Sequence, residues 1–257
     1  MDSDQFDALV SRLTAQLTRR RSLGLAGALG MAGAGLATET DARKKKKKKH
    51  KKKPTTTKAP ATQPPTTAPV PPPSTVVISQ VYTRGGNPGA VYNRDYIVLF
   101  NRSTRAIDVG NWSVQVSGPD SPTWTVVKLT GVIMQPNQYL LIAGASGGQT
   151  GATLTTVDIS SSASVLSGGG RIALVASPEA LTCGAAASCV TANGVIDFLG
   201  YGVNGAHSEG GLPAAAPEAT QALFRKGDGC VDTNNNGPDF ILADPSPRTS
   251  SHFHECP

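Results

Sequence analysis

The stretch at residues 95–112, DYIVLFNRSTRAIDVGNW, leaves few folds open to the chain that carries it. Side chains alternate across an extended strand with a period of two, so Tyr96, Val98 and Phe100 fall on one side and Ile97 and Leu99 on the other. Asn101-Arg102-Ser103-Thr104 breaks the run with turn formers, and Ile107 and Val109 resume it. Gly110-Asn111 then turns the chain just before Trp112, whose ring is large enough to anchor a small core. A strand, a short polar turn and a second strand opening on a buried Trp build the centre of an antiparallel sandwich. The stretch contains no nucleophile, base or metal cluster, so it reads as the core of a binding module.

The rest of the C-terminal part repeats the pattern. Strands are expected at 76–82, 95–101, 107–116, 123–129, 131–134, 139–142, 171–176, 195–201 and 222–226, each bounded by Gly, Pro, Asn or Asp. Residues 144–164 are too polar and irregular to assign. Short strands at this spacing, with few helical periods, indicate an all-β sandwich, and the length from residue 75 onward is enough to bury a core between two sheets.

Charge divides the chain sharply. Residues 1–58 hold 15 basic and 5 acidic groups, a net +10, whereas residues 59–257 hold 9 basic and 13 acidic groups, a net −4. The basicity belongs to one segment, which argues against a basic nucleic-acid groove on the folded part.

Residues 1–42 read as an export signal of the bacterial twin-arginine type: Arg19, Arg20 and Arg21 precede a charge-free Gly/Ala/Leu run at 23–37. The run is short for a bilayer-spanning helix. Leu23 is followed by Gly24 where the usual pattern wants a second hydrophobic residue, and cleavage is expected after Ala37 or Ala42. The alternative is an uncleaved amphipathic helix or membrane anchor. Residues 43–53, RKKKKKKHKKK, repel one another too strongly to pack and read as a disordered polybasic tail. Such a polycation fits an anionic cell-envelope polymer, a membrane surface or extracellular DNA; a plain spacer or an export-routing block is the alternative. Residues 54–74 form a Pro/Thr-rich linker that favours polyproline II, its twenty or so residues spanning roughly 60 Å.

Against this background the domain at 75–250 carries a resemblance. Asp95-x-Ile97-x-Leu99-x-Asn101, Ile107-Asp108-Val109-Gly110-Asn111-Trp112, Leu129-x-Gly131 and Gln135-Pro136-x-x-Tyr139-Leu140-Leu141-Ile142 follow in an order that resembles the lamin tail domain. Val195-Ile196-Asp197-Phe198-Leu199-Gly200-Tyr201-Gly202, the run Arg225-Lys226-Gly227-Asp228-Gly229-Cys230 and Asp239-Phe240 resemble its secreted bacterial branch. The resemblance implies an immunoglobulin-like β-sandwich, exported and sometimes found beside nucleases or hydrolases, and brings no catalytic residues with it. Val98 stands where the family often has an acidic residue.

Several groups invite chemistry. Asp232-x-Asn234-x-Asn236-Gly237 has the opening spacing of a calcium loop, but Ala243 stands at the twelfth position instead of the closing Glu. Asp239 or Asp244 could substitute; an ordinary Asn-rich turn is the alternative. His252, His254 and Cys256 cluster in the C-terminal tail, 251–257, where a frayed end is expected rather than a metal site. Gly168-Gly169-Gly170 lacks the Lys-Ser/Thr of a phosphate loop. Asn101 and Asn111 begin glycosylation-like triplets. Cys183, Cys189, Cys230 and Cys256 are even in number in a chain read as exported, so disulfides are expected. Three connectivities are open; Cys183–Cys189 closing a short loop and Cys230–Cys256 pinning the tail are favoured. The rival is a cysteine nucleophile served by His207 and Asp197. No cofactor, resident metal or catalytic residue is assigned. The reading is an exported, non-enzymatic binding or structural module, secreted or at the cell surface. Its tail would meet an anionic layer and its sandwich a protein or glycan. A structural wall component and an extracellular hydrolase or nuclease, or an accessory domain of one, are the alternatives.

Overall fold

The computed structural model describes residues 74–165, 168–184 and 188–257, within the unit Pro64–Pro257. The expected export signal with Arg19, Arg20 and Arg21, the Lys tract at 43–53 and the linker up to residue 73 lie outside the described residues.

Two sheets face each other. The larger runs in the order β12 (Phe240–Ala243), β11 (Ala222–Arg225), β1 (Val76–Tyr82), β2 (Arg94–Asn101), β7 (Tyr139–Ser146), β8 (Ile159–Ser160). The smaller runs β10 (Val195–Tyr201), β9 (Gly170–Val175), β4 (Ser113–Ser117), β5 (Thr125–Lys128). A short ribbon pairs β3 (Ile107–Asp108) with β6 (Ile133–Met134). Every strand pair is antiparallel except β7 with β8. The architecture is an all-β, immunoglobulin-like sandwich.

Alternation sorts the side chains of β2 as its sequence demands. Ile97 and Leu99 enter the core between the sheets, with Val114, Ile172, Leu174 and Leu199 facing them, while Tyr96, Val98 and Phe100 join a second apolar cluster on the opposite face. Both faces of the strand are covered, which explains a nearly unbroken apolar run. Val98 is fully buried in that second cluster, a setting that suits valine and would penalise a carboxylate. In β1 the register slips between Ile78 and Gln80, so Ile78 and Val81 both reach the core instead of lying on opposite faces.

The tryptophans correct one expectation. Trp112 is half-buried at the rim of the core, and residues 107–116 are not one strand. The Gly110 N–H donates to Asp108 Oδ1 at 2.8 Å and the Trp112 N–H to the Val109 carbonyl at 2.8 Å. This tight turn carries the chain from the β3–β6 ribbon into the smaller sheet and leaves Trp112 at the corner. The buried ring is Trp124, on the outer face of the smaller sheet, edge-on to Phe198 at 6.1 Å and beneath Arg171 at 5.0 Å. Arg171 fastens the loops over that face, donating to the carbonyls of Gly118 and Gly184 and to Ser117 Oγ.

The C-terminal residues are likewise not a loose end. The Tyr139 N–H donates to the His252 carbonyl and the His254 N–H to the Asn137 carbonyl. Arg248 donates to Tyr139 Oη and Asp228 Oδ1, both at 2.6 Å. The four cysteines form Cys183–Cys189 and Cys230–Cys256. The second spans a separation of 26 residues, so changing Cys230 and Cys256 together to Ser should lower stability by about 2–4 kcal/mol in urea unfolding. The shorter Cys183–Cys189 loop should give a smaller loss.

Candidate functional site

The densest group of ionisable side chains lies where the two sheets meet at β1, β10 and β11. Alternation along β10 puts Asp197 on the same face as Leu199 and Tyr201, and alternation along β11 puts Arg225 with Leu223. Each strand thus sends one charge inward, and the two find each other. Arg225 Nη2 donates to Asp197 Oδ1 and Oδ2 at 2.8 and 2.7 Å, while Nη1 reaches Asp232 Oδ1 at 3.1 Å and Asp239 Oδ2 at 3.6 Å. Its guanidinium lies 4.6 Å over the Phe240 ring.

The backbone explains why charge is tolerated there. β11 pairs with β1 only at Gln80 and Val81, so the N–H and C=O of Ile78 lie beyond its reach. Asp197 accepts from that N–H at 2.6 Å and Arg225 Nε donates to that carbonyl at 2.9 Å. Two buried backbone groups that would otherwise be orphaned are satisfied by the ion pair that joins the sheets.

The loop after β11 supplies the remaining acids. Asp232 also accepts from the Ser74 and Asn234 N–H groups and lies 3.5 Å from Arg102. Asp239 accepts from the N–H and hydroxyl of Thr233 and from the Asn235 N–H. Asn236 Oδ1 accepts from the Gly200 and Glu209 N–H groups, while Nδ2 donates to the Phe198 carbonyl and to Glu209 Oε2. The calcium-like spacing is therefore put to another use. Asp232 faces Arg225 of β11, Asn236 faces β10, and Asp239 accepts from its own loop while lying near Arg225. Asp197, Glu209 and Asp232 bring carboxylate oxygens within 4.8 Å of one another, close enough to share an ion, but the cation donating to two of them is Arg225.

Burial raises the Asp197 carboxyl above its usual range, against the pull of Arg225. Glu209, 6 % exposed, is pushed up to about 9 by burial, with the charges of Asp197 and Asp232 adding to the effect. That shift favours the neutral acid at pH 7. Asp95, at the other end of the larger sheet, is raised to about 6 by burial although it accepts from the Gly85 and Val165 N–H groups.

The groups named as a nucleophilic set are not brought together. Among the described residues no cysteine is free, and Asp197 belongs to Arg225. His207 is buried beside the loop after β4, with Nε2 3.7 Å from Asp120 Oδ1 and no hydrogen bond to Nδ1. Asn101 is fully buried and its amide donates to the carbonyls of Arg105, Met134 and Gln135, so its triplet presents no acceptor to a glycosylating enzyme. Asn111 is exposed in its turn. Arg225 is what the sequence reading missed; a cation at an inward alternating position was the signal for it.

A family model described as Lamin Tail Domain matches residues 69–202, more than half of the chain. No curated protein matches. The chain belongs to the lamin tail domain family, a family of immunoglobulin-like domains. The matched segment stops ahead of β11 and β12, yet both strands belong to the larger sheet and carry Arg225 and Phe240.

Proposed function

We propose that this lamin tail domain protein is an exported, non-enzymatic binding or structural module held at a cell surface or in a matrix by its Lys tract. The observation that carries this reading is the state of its reactive groups. All four cysteines are in disulfides, and the clustered acids are engaged with Arg225 and backbone donors. These groups hold the sandwich together. Two disulfides are also typical of extracellular proteins, and among the described residues no helix is long and apolar enough to cross a membrane.

The tract at 43–53 supplies the attachment. Each Lys near an anionic surface contributes about 1 kcal/mol, so nine suffice for adsorption that salt reverses. Its partners are an anionic envelope polymer, a membrane surface or extracellular DNA; the sandwich itself meets a protein or a glycan. Deleting residues 43–53 is expected to abolish retention on cells at low salt, and raising salt should release the parent chain to the same extent. Retention that survives both the deletion and high salt would sink the proposal.

A second reading, an extracellular hydrolase or nuclease or an accessory to one, rests on the unbonded Nδ1 of His207. It requires turnover of ester or nucleic-acid substrates that is lost in His207→Ala.

A further inference from the structure

The outer face of the larger sheet carries a pocket of about 270 Å³ that takes no part in the charge network. Leu141 of β7, Leu154, Pro247 and the ring of Tyr92 supply its apolar surfaces, and Thr153, Thr155, Thr156, Thr249, Ser251 and His252 complete its walls. Asp158, outside the lining, ties β7 to the C-terminal stretch. It accepts from the Leu141 N–H at 2.7 Å, from the Ser250 N–H at 2.8 Å and from Ser250 Oγ at 2.5 Å. A pocket anchored in this way is largely set before anything enters it.

The lining is rich in hydroxyls: Thr153, Thr155, Thr156, Thr249 and Ser251. Among the described residues it includes no Lys, Arg, Asp or Glu. His252 adds a nitrogen donor. The Thr249 N–H donates to its Nδ1 at 3.1 Å, so the neutral ring carries its proton on Nε2.

This chemistry discriminates between ligands. A charged ligand would leave water for a pocket with no opposing charge. Thr249 and Ser251 already bond each other at 2.8 Å, but a wholly apolar ligand would take the hydroxyls of Thr153, Thr155 and Thr156 out of water without offering them partners. A pyranose satisfies both conditions, since its hydroxyls donate and accept while its C–H face can lie against an aromatic ring. The volume is at the small end for ligand sites, which suits one sugar unit.

We propose that this pocket binds a single neutral pyranose, free or as the terminal unit of a glycan. The assignment rests on the binding-module reading above and names the ligand class of the sandwich. The test is saturation-transfer NMR on the full chain with methyl glucoside, galactoside and mannoside and with N-acetylglucosamine, followed by calorimetry on whichever binds. Glucuronate is the charged counterpart. Thr155 and Thr156 are exposed, so Thr155→Val with Thr156→Val removes two hydroxyls without disturbing the core. Saturable binding of a neutral glycoside, weakened about tenfold or more in the double variant, is the expected result. A disaccharide ending in the same unit then separates the sources: tighter binding than the methyl glycoside identifies a glycan terminus, equal binding a free sugar. Silence across the neutral panel, equal binding by the double variant, or tighter binding of glucuronate overturns the proposal. Salt-dependent retention through residues 43–53 is read separately. A negative sugar panel with retention intact removes the pocket assignment alone, and lost retention with sugar binding intact removes the surface reading alone.

Discussion

Exchanging Arg225 for Met is expected to destabilise the sandwich by about 3–5 kcal/mol at pH 7. Met keeps an apolar stem over the Phe240 ring but withdraws the donors to Asp197 and Asp232, the countercharge near Asp239 and the partner of the Ile78 carbonyl. The cost comes less from losing attraction than from leaving acids buried without compensation. Two controls separate these effects. Arg225→Lys keeps the charge but cannot reproduce a fork that donates to two carboxylates and a carbonyl, so it should recover only part of the loss. Arg225→Met combined with Asp197→Leu removes both members of the pair and should be more stable than Arg225→Met alone. Urea unfolding followed by the fluorescence of Trp112 and Trp124 reads all three variants. The deficit of Arg225→Met should also shrink as pH falls, because a protonated carboxyl needs no countercharge. A variant as stable as the parent at pH 7 would mean that these acids are already neutral in the fold.

How much of this was legible beforehand depends on the kind of pattern involved. The alternation in β2 and the order of the strands were readable, because a period of two records which side chains share a face. The same rule, applied to Val195-Ile196-Asp197-Phe198-Leu199-Gly200-Tyr201 and to Leu223-Phe224-Arg225, places an acid and a cation on inward faces of two strands. Asp232 and Asp239 were a different matter. They come from an irregular loop with no period, and their spacing resembles a calcium loop equally well; only the direction of the carboxylates decides, and direction is tertiary information. Trp112 was misplaced because ring size predicts that a side chain wants burial, while the turn at Gly110 determines where it can be buried. β8 has two residues and pairs in parallel with β7, too little to leave a periodic trace. Phe240-Ile241-Leu242-Ala243 is an apolar run that forms β12, but the Gly237-Pro238 just before it and the calcium-like spacing across it point to a loop instead.

Glu209 is expected to make the domain more stable in mild acid than at neutral pH, the reverse of the usual carboxylate behaviour. Its folded carboxyl is raised from 4.5 to about 9, so between those values the fold retains a proton that the unfolded chain has released. The stabilising contribution is complete below about pH 4.5 and is lost as pH rises through about 9, at up to about 1.4 kcal/mol per pH unit for one proton. Asp95 acts in the same direction over a lower window, from 3.8 to about 6. The two windows overlap between about 4.5 and 6, where the slope should be steepest. Unfolding free energy measured in urea at intervals from pH 5 to pH 9 should therefore fall by several kcal/mol. Glu209→Gln tests the assignment directly, because the amide keeps an acceptor for Asn236 Nδ2 yet cannot ionise. It should match the parent near pH 5, exceed it at pH 8, and retain only the shallow slope below pH 6 that belongs to Asp95. If the parent and Glu209→Gln instead follow parallel curves from pH 5 to pH 9, Glu209 is ionised in the fold. Its charge would then add to those that Arg225 faces.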